Sequence, residues 1–243
     1  MHQPAQLQAP VWTALPLVEP LAAVPPVSPA EVGPSWYQLR QHWRPTAELG
    51  LNPGWARIRW NDTGLLYEAV FLQQRPANRA RRLNERTWEL GDIAEFFLQD
   101  PSTGRYLELH VTPENQRLQL VWPLDGLERF RAGTAPLDDF LIPHPRWVES
   151  HTVVAADYWT ARTFIPYSCL GLESPPRAQM LRTAVCRYDR SHGPELFSST
   201  APLTEPNYHR HEEWAELSLL PAVSRAGLMQ PGRAGAKAAT LSG

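Results

Sequence analysis

Short runs in which apolar and polar residues alternate are the main pattern of this chain. In residues 55–60, apolar side chains alternate with two arginines, which is the pattern of an amphipathic β-strand. The polar segment 61–64 then supplies turn residues, and an apolar run follows at 65–72. The two runs and the turn between them predict a β-hairpin.

Similar runs continue along the chain, and polar turns rich in Pro, Gly or Asn separate them. They predict strands at 93–98, 106–111, 118–122, 147–155, 158–165, 182–188 and 215–219. Only residues 168–172 indicate a helical turn, and no long stretch has the 3.6-residue period of a helix. This pattern predicts an all-β fold, specifically a jelly-roll-like antiparallel β-sandwich.

The run at 106–111 separates two kinds of side chain, because successive side chains of a strand point to opposite faces. One face carries the apolar residues Leu107, Leu109 and Val111. The other face carries Tyr106, Glu108 and His110. We expect the first face to pack in the core and the second to be available for a ligand.

Composition divides the chain into three parts. Residues 1–50 are rich in Pro and Ala and are expected to form a partly flexible N-terminal arm. Residues 51–221 hold the strand pattern and are expected to form the β-sandwich, and residues 222–243 are expected to be a disordered tail. The arm is a candidate contact for a protein partner.

Charge and hydropathy argue against two classes of partner. The chain has 23 Lys and Arg against 25 Asp and Glu, a formal net charge of −2, so it lacks the positive field that nucleic-acid binding needs. No run approaches the roughly 20 apolar residues of a membrane helix. Prolines and acidic residues interrupt the N-terminal segment where a signal peptide would need an apolar core. Sequence alone therefore predicts a cytoplasmic protein without a nucleic-acid or membrane partner.

Cysteine and tryptophan usage narrows the chemistry further. Cys169 and Cys186 lie in apolar, strand-like stretches, which predicts two free, buried thiols. The ten Trp residues exceed what a core of this size needs, so some of them are expected to face a ligand. The chain contains no G-x-S-x-G, P-loop or G-x-G-x-x-G motif, and no cofactor is predicted.

Three segments resemble family 9 carbohydrate-binding modules and their wider superfamily. The first, WELGDIAEFFL at 88–98, is similar to the family's Trp-Glu-x-Asp-x-x-Glu-x-Phe strand entry, with one extra residue. The second, WTARTFIPYSCL at 159–170, is similar to a strand that ends in Ile-Pro before a short helical turn. The third, PNYHRHEEWAEL at 206–217, resembles the family's terminal aromatic segment. The resemblance covers about residues 51–221 and implies a β-sandwich that binds sugar.

The resemblance also implies a binding site. In the sugar-binding members, one aromatic from the first motif and one from the third hold a terminal sugar between them, which by position implies Trp88 and Tyr208 here. Glu95 matches the family's polar acceptor. The chemistry is sound, because a pyranose presents C–H faces to aromatic rings and its hydroxyl groups donate well to carboxylates.

Four further residues are candidates for the same cleft. Glu108 and His110 are expected to bind sugar hydroxyls through hydrogen bonds. His209 lies two residues before His211, a spacing that could also serve a metal with a neighbouring glutamate, but the interpretation as loop histidines is favoured. Asp92 is included last, because an aspartate before an apolar strand more commonly accepts backbone hydrogen bonds. No metal is predicted, although calcium in a structural loop stays open.

The leading hypothesis is a non-catalytic carbohydrate-binding domain, for which the resemblance also implies a secreted or periplasmic location. One alternative is an interaction or scaffold domain of the same fold that has lost sugar binding. A second alternative is a glycoside-active enzyme, because a pair of carboxylates such as Glu95 and Glu108 is the usual catalytic equipment of glycosidases.

Overall fold

A computed structural model describes residues 10–17, 26–172, 175, 180–191 and 193–219. The expected disordered tail at 222–243 lies outside these described residues, as does most of the start of the chain. The division into arm, sandwich and tail stays a prediction.

The described residues form twelve strands and only short helical segments. The strands are β1 (Val11–Pro16), β2 (Tyr37–Gln38), β3 (Gly54–Trp60), β4 (Gly64–Leu72), β5 (Ile93–Gln99), β6 (Tyr106–Val111), β7 (Arg117–Trp122), β8 (Glu149–Val154), β9 (Tyr158–Pro166), β10 (Leu181–Asp189), β11 (Leu196–Ser199) and β12 (Ala215–Leu219). The helical segments are the six-residue helix α1 (Gly126–Arg131) and 3₁₀ turns at Pro29–Glu31, Thr87–Glu89, Leu137–Phe140, Tyr167–Leu170 and His211–Glu213. The expected β-rich class and the helical turn near residue 168 are confirmed.

All of these strands belong to one curled sheet with the order β7-β6-β5-β10-β12-β1-β3-β4-β9-β8, while β11 pairs with β10 and β2 with β3. The prediction of an antiparallel sheet needs a correction at β1, which pairs in parallel with both β12 and β3. Burial accounts for the place of the strand in the sheet: β1 fills the gap between β12 and β3, where Trp12 and Ala14 are 1% and 0% exposed. No strand was predicted at residues 11–16.

The curl of the sheet brings its two halves around one core. Apolar side chains from β5, β6 and β10 pack in the same cluster as those from β3, β4 and β9. Tyr67 of β4 hydrogen-bonds Thr183 of β10 across this core at 2.9 Å, and its ring meets Phe96 edge to face at 5.5 Å. Leu107, Leu109 and Val111 belong to this core, so the inward face predicted for β6 is confirmed.

The opposite face of β5, β6, β7 and β10 is also covered. A second cluster contains Phe97, Tyr106 and Trp122, and it is closed by α1, by the 3₁₀ turn at Leu137–Phe140 and by the segment 201–214. Every residue of β5 and β6 is therefore buried. This cover leaves an opening over the strands, where the candidate site lies.

Two further predictions from the sequence concern the cysteine thiols and membrane helices. Cys169 and Cys186 are free and buried, as predicted. Among the described residues, no helix has the length and apolar character that a membrane crossing requires.

Candidate functional site

A cavity of about 440 Å³ opens on the outer face of β5, β6, β7 and β10. Six of the seven residues that the sequence nominates for ligand binding line it. They are Trp88, Glu95, Glu108, His110, Tyr208 and His209. Segments far apart in the chain therefore meet at this one place, although their part in binding stays a prediction.

Strand register explains why the charged residues meet. Glu95 of β5 lies directly opposite His110 of β6, and antiparallel neighbours hold their side chains close together. Glu108 lies two residues before His110 and so points to the same face. The Nε2 atom of His110 is 2.8 Å from Oε1 of Glu108 and 3.1 Å from Oε1 of Glu95. The imidazole thus links the two carboxylates.

Neighbouring side chains fix this group in place. The hydroxyl of Thr87 is 2.9 Å from Nδ1 of His110, and it lies on the 3₁₀ turn Thr87–Glu89. The indole N–H of Trp122 donates to Oε2 of Glu108 at 2.7 Å. Because all of these atoms are buried, the positions of Glu108 and His110 are set before any ligand arrives.

Burial and the shared imidazole separate the two carboxylates electrostatically. Burial raises the pKa of Glu95 to about 8. Burial also acts to raise the pKa of Glu108, but the charge that His209 carries at low pH and hydrogen bonds from His110 and Trp122 outweigh it and lower that pKa to about 2. Burial acts to lower the pKa of His110, and the charges of Glu95 and Glu108 overcome it and raise that pKa. Glu95 therefore keeps a proton near neutral pH while Glu108 is ionised.

His209 enters the cavity from the loop before the 3₁₀ turn His211–Glu213. Its Nδ1 is 3.0 Å from the hydroxyl of Tyr106 and 3.8 Å from Oε2 of Glu108. Its ring also meets Phe97 edge to face at 5.7 Å, and burial lowers its pKa. A neutral His209 can therefore donate or accept a hydrogen bond at the cavity wall.

The two aromatic residues predicted to hold a sugar, Trp88 and Tyr208, differ in how far their side chains are exposed. Trp88 is half-buried, with its ring set edge to face against His110 at 5.8 Å, so part of the indole is open to the cavity. Tyr208 is 4% exposed, and its hydroxyl donates to the backbone oxygen of Arg187 at 2.7 Å. Trp88 thus offers the more accessible surface, and Tyr208 forms a fixed wall.

Asp92 does not line the cavity. Its carboxylate accepts hydrogen bonds from the side chain of Gln73 at 2.8 Å and from the backbone N–H groups of Ala77, Arg190 and Ser191 at 2.9, 2.7 and 3.0 Å. The hydroxyl of Ser191 also donates to it. These contacts join three segments behind the Trp88 turn, which matches the backbone role that its sequence context favoured.

Gly91 allows the same turn to approach its neighbour. Its φ is +150°, and a Cβ at this position would lie 2.2 Å from the backbone oxygen of Ala77. Only glycine fits both the backbone conformation and the contact. The segment between Trp88 and Asp92, which is one residue longer than the family motif, is thereby packed against residues 77 and 78.

Several cavity residues were not predicted from the sequence. Trp122 ends β7 and Tyr188 lies near the end of β10. Both strands were predicted, but the position of these two side chains beside the cavity was not. Arg131 of α1 and Asn207 reach the rim, where they contact each other at 3.4 Å. Tyr188 lies two residues after Cys186, so both side chains point to the same face of β10. This spacing is the one feature of the sequence that indicates the face on which Tyr188 lies.

A second cavity, of about 590 Å³, lies beside the N-terminal segment. Aromatic residues that include Trp12, Trp36, Tyr37 and Trp55 line it, with Arg40 and His42. Among the described residues, none that lines this cavity is acidic. It therefore lacks the carboxylate acceptors that distinguish the first cavity.

Comparison with known proteins identifies the fold. No family model matches the sequence, and a search of curated proteins finds no match. A family 9 carbohydrate-binding module from Caldicellulosiruptor kristjanssonii, solved with glucose, has a TM-score of 0.54 at 12% identity, and the match covers 87% of this chain and 96% of that one. With cellotriose, such a module from the same organism gives 0.53 at 12% identity, covering 81% and 87%.

A third solved structure is a proposed carbohydrate-binding protein from Bacteroides uniformis, with a TM-score of 0.57 at 14% identity and coverage of 76% of this chain and 86% of that one. The chain therefore has a fold similar to that of family 9 carbohydrate-binding modules. The resemblance stated from the sequence motifs is confirmed at the level of the fold.

Proposed function

We propose that this protein is a non-catalytic carbohydrate-binding protein that holds a saccharide in the 440 Å³ cavity. The observation that carries the proposal is the meeting, in one cavity, of a half-open indole from Trp88 with two buried carboxyl groups, the ionised and pre-positioned Glu108 and the protonated Glu95. Aromatic faces bind the C–H surface of a sugar ring, and fixed carboxylates accept its hydroxyl groups. Few other ligands need both features together.

The size and shape of the cavity support a small saccharide. Its volume falls within the range of roughly 300–1,000 Å³ that is typical of small-ligand pockets. Because Glu108 and His110 are held by Trp122 and Thr87, they need not be ordered on binding, which lowers the entropic cost. The fold neighbours from Caldicellulosiruptor kristjanssonii bind glucose and cellotriose, so short glucose oligomers are the first ligands to try.

The test is a saccharide titration that compares two tryptophan variants. A glycan array selects the ligand, and Trp fluorescence then measures affinity for the wild type, Trp88→Ala and Trp55→Ala. Trp55 is also half-buried but lines the second cavity, so it is a matched control. Loss of the Trp88 ring contact should weaken binding by about tenfold or more, with no change in the control. Equal affinity in Trp88→Ala and the wild type would contradict the proposal.

The glycosidase alternative also has a specific observation in its favour. The nearest carboxylate oxygens of Glu95 and Glu108 lie within 4.8 Å, close to the spacing of about 5–5.5 Å in retaining enzymes. The raised pKa of Glu95 suits a general acid, and the lowered pKa of Glu108 suits a nucleophile. Turnover of a chromogenic glycoside that disappears in Glu95→Gln would support this alternative over the non-catalytic function.

A further inference from the structure

Three metal-ligand atoms converge at the base of the cavity. One carboxylate oxygen of Glu95, one of Glu108 and a ring nitrogen of His110 all lie within 4.8 Å of one another. The residues are 3%, 5% and 1% exposed. Within the described part of the chain, this is the one group of three or more His, Cys, Asp or Glu side chains with such spacing.

Two of the three distances between these atoms are slightly shorter than those around a bound ion. Ligands at about 2.0–2.2 Å from a zinc ion lie about 3.3–3.6 Å apart in a tetrahedral site. Nε2 of His110 is 2.8 Å from the oxygen of Glu108 and 3.1 Å from that of Glu95. An ion placed between the three atoms would therefore need little movement of the side chains.

The surrounding contacts also have the form of a supported metal site. In such sites the second nitrogen of a ligating histidine and the second oxygen of a carboxylate are held by neighbours. Here the hydroxyl of Thr87 contacts Nδ1 of His110, and the indole of Trp122 donates to the second oxygen of Glu108. Both contacts leave the three converging atoms free to face an ion.

Charge gives a reason for a cation at this position. Two buried carboxylates that lie close together repel each other unless a positive group lies between them. Among the described residues, the ion-pair partner of Glu95 is His110 alone, and this imidazole is shared with Glu108. In the metal-free protein a proton on Glu95 removes this repulsion, and a divalent ion in place of that proton would balance both carboxylates at once.

We propose that Glu95, Glu108 and His110 bind one divalent first-row transition ion, with Zn²⁺ as its reference member. One nitrogen and two oxygen donors suit such an ion, while Ca²⁺ takes 6–8 oxygen ligands. Because the three residues line the cavity, the remaining coordination position faces its interior, as in zinc sites that keep an open position. The ion site does not depend on the proposed saccharide.

The experiment measures zinc on untagged, full-length protein. After a chelator has removed metal, Zn²⁺ is titrated by calorimetry, and bound zinc per chain is counted by elemental mass spectrometry. We expect one equivalent per chain. Glu95→Gln and His110→Gln keep side-chain size but remove a ligand, and affinity should fall by roughly a hundredfold or more, because loss of an outer-shell partner alone costs 10–100-fold. Circular dichroism verifies that each variant is folded.

Two further variants keep the test decisive. His42→Gln changes an exposed histidine that lines the second cavity, so zinc affinity should stay at the wild-type value. Thr87→Val leaves all three ligand atoms in place and removes the contact to Nδ1 of His110, so zinc affinity should fall at least about tenfold. This variant tests the site even if a ligand variant does not fold.

Absence of a stoichiometric zinc ion in the wild type would overturn the ion site. The same holds if folded Glu95→Gln and His110→Gln bind zinc with the affinity of the wild type. Loss of zinc in His42→Gln alone would also overturn it. Zinc binding without any saccharide response would support the ion site and contradict the proposed function, so the two proposals fail separately.

Discussion

The replacement Asp92→Asn tests whether this residue stabilises the fold through its hydrogen bonds and takes no part in ligand binding. The variant is nearly isosteric, but it exchanges one carboxylate oxygen for an NH₂ group. One oxygen of Asp92 accepts the backbone N–H groups of Arg190 and Ser191, and the other accepts from Gln73 and Ala77. Whichever oxygen is replaced by NH₂, at least two hydrogen-bond donors lose their acceptor and face the new NH₂ group instead.

The magnitude follows from these contacts. Each buried donor left without an acceptor costs about 1–3 kcal/mol, so the loss of two acceptors should lower the unfolding free energy by about 2–6 kcal/mol. Asp92 itself is 0% exposed, so water cannot readily replace the lost acceptor. A loss of this size is a large part of the roughly 5–15 kcal/mol that keeps a typical domain folded.

The assay is urea unfolding followed by Trp fluorescence, with the midpoint and slope both fitted. Asp125→Asn is the control, because Asp125 is exposed and makes no side-chain cap to α1, and its change should stay within about 0.5 kcal/mol. Below the unfolding transition, Asp92→Asn should keep the wild-type affinity for saccharide. Equal midpoints for both variants, or a folded Asp92→Asn that has lost saccharide binding, would refute the reasoning.

Two other predictions concern the same region. Burial raises the pKa of Glu95 to about 8 from 4.5, so between pH 5 and pH 8 the folded, metal-free protein holds more protons than the unfolded chain. Its unfolding free energy should therefore fall from pH 5 to pH 8 more steeply than that of Glu95→Gln. Urea titrations at both pH values measure this difference. Gly91→Ala should lose about 3 kcal/mol or more, because a Cβ would lie 2.2 Å from the oxygen of Ala77. Gly133→Ala, at φ +69° with nothing within 4 Å of the new Cβ, should lose only about 1–2 kcal/mol by the same assay.

Each of these two predictions has a clear contrary result. Parallel pH profiles for the wild type and Glu95→Gln would show that burial does not shift the titration of this carboxyl group. Equal losses in Gly91→Ala and Gly133→Ala would show that backbone conformation, and not the contact with Ala77, limits residue 91.

Local pattern was enough for much of this fold and for part of the site. The alternation at 106–111 correctly separated the core face from the cavity face, because that property depends only on strand geometry. The opposition of Glu95 and His110 depends instead on the register between β5 and β6, which a single strand does not encode. The place of Tyr188 depends on β10 pairing with β5, strands about 90 residues apart.

The strand β1 was missed for a related reason. Its partners are Glu216 of β12 and Arg59 of β3, among others, and both pairings are parallel, so neither leaves a hairpin turn in the sequence. The prolines and alanines around it resemble a linker in composition. Burial of Trp12 inside the sheet overrides that local signal.

The position of β1 has a consequence for how the chain reaches its native state. Since β1 pairs with β12, segments about 200 residues apart must meet before the sheet is continuous. Contacts of such long range slow folding, and during synthesis they cannot form until residue 219 has left the ribosome. Until then residues 181–183 of β10 and the edge of β1 that faces β12 lack their partner strand, and such an unpaired edge is a template for aggregation. A fragment that ends before residue 215 should therefore be insoluble although it contains the whole cavity.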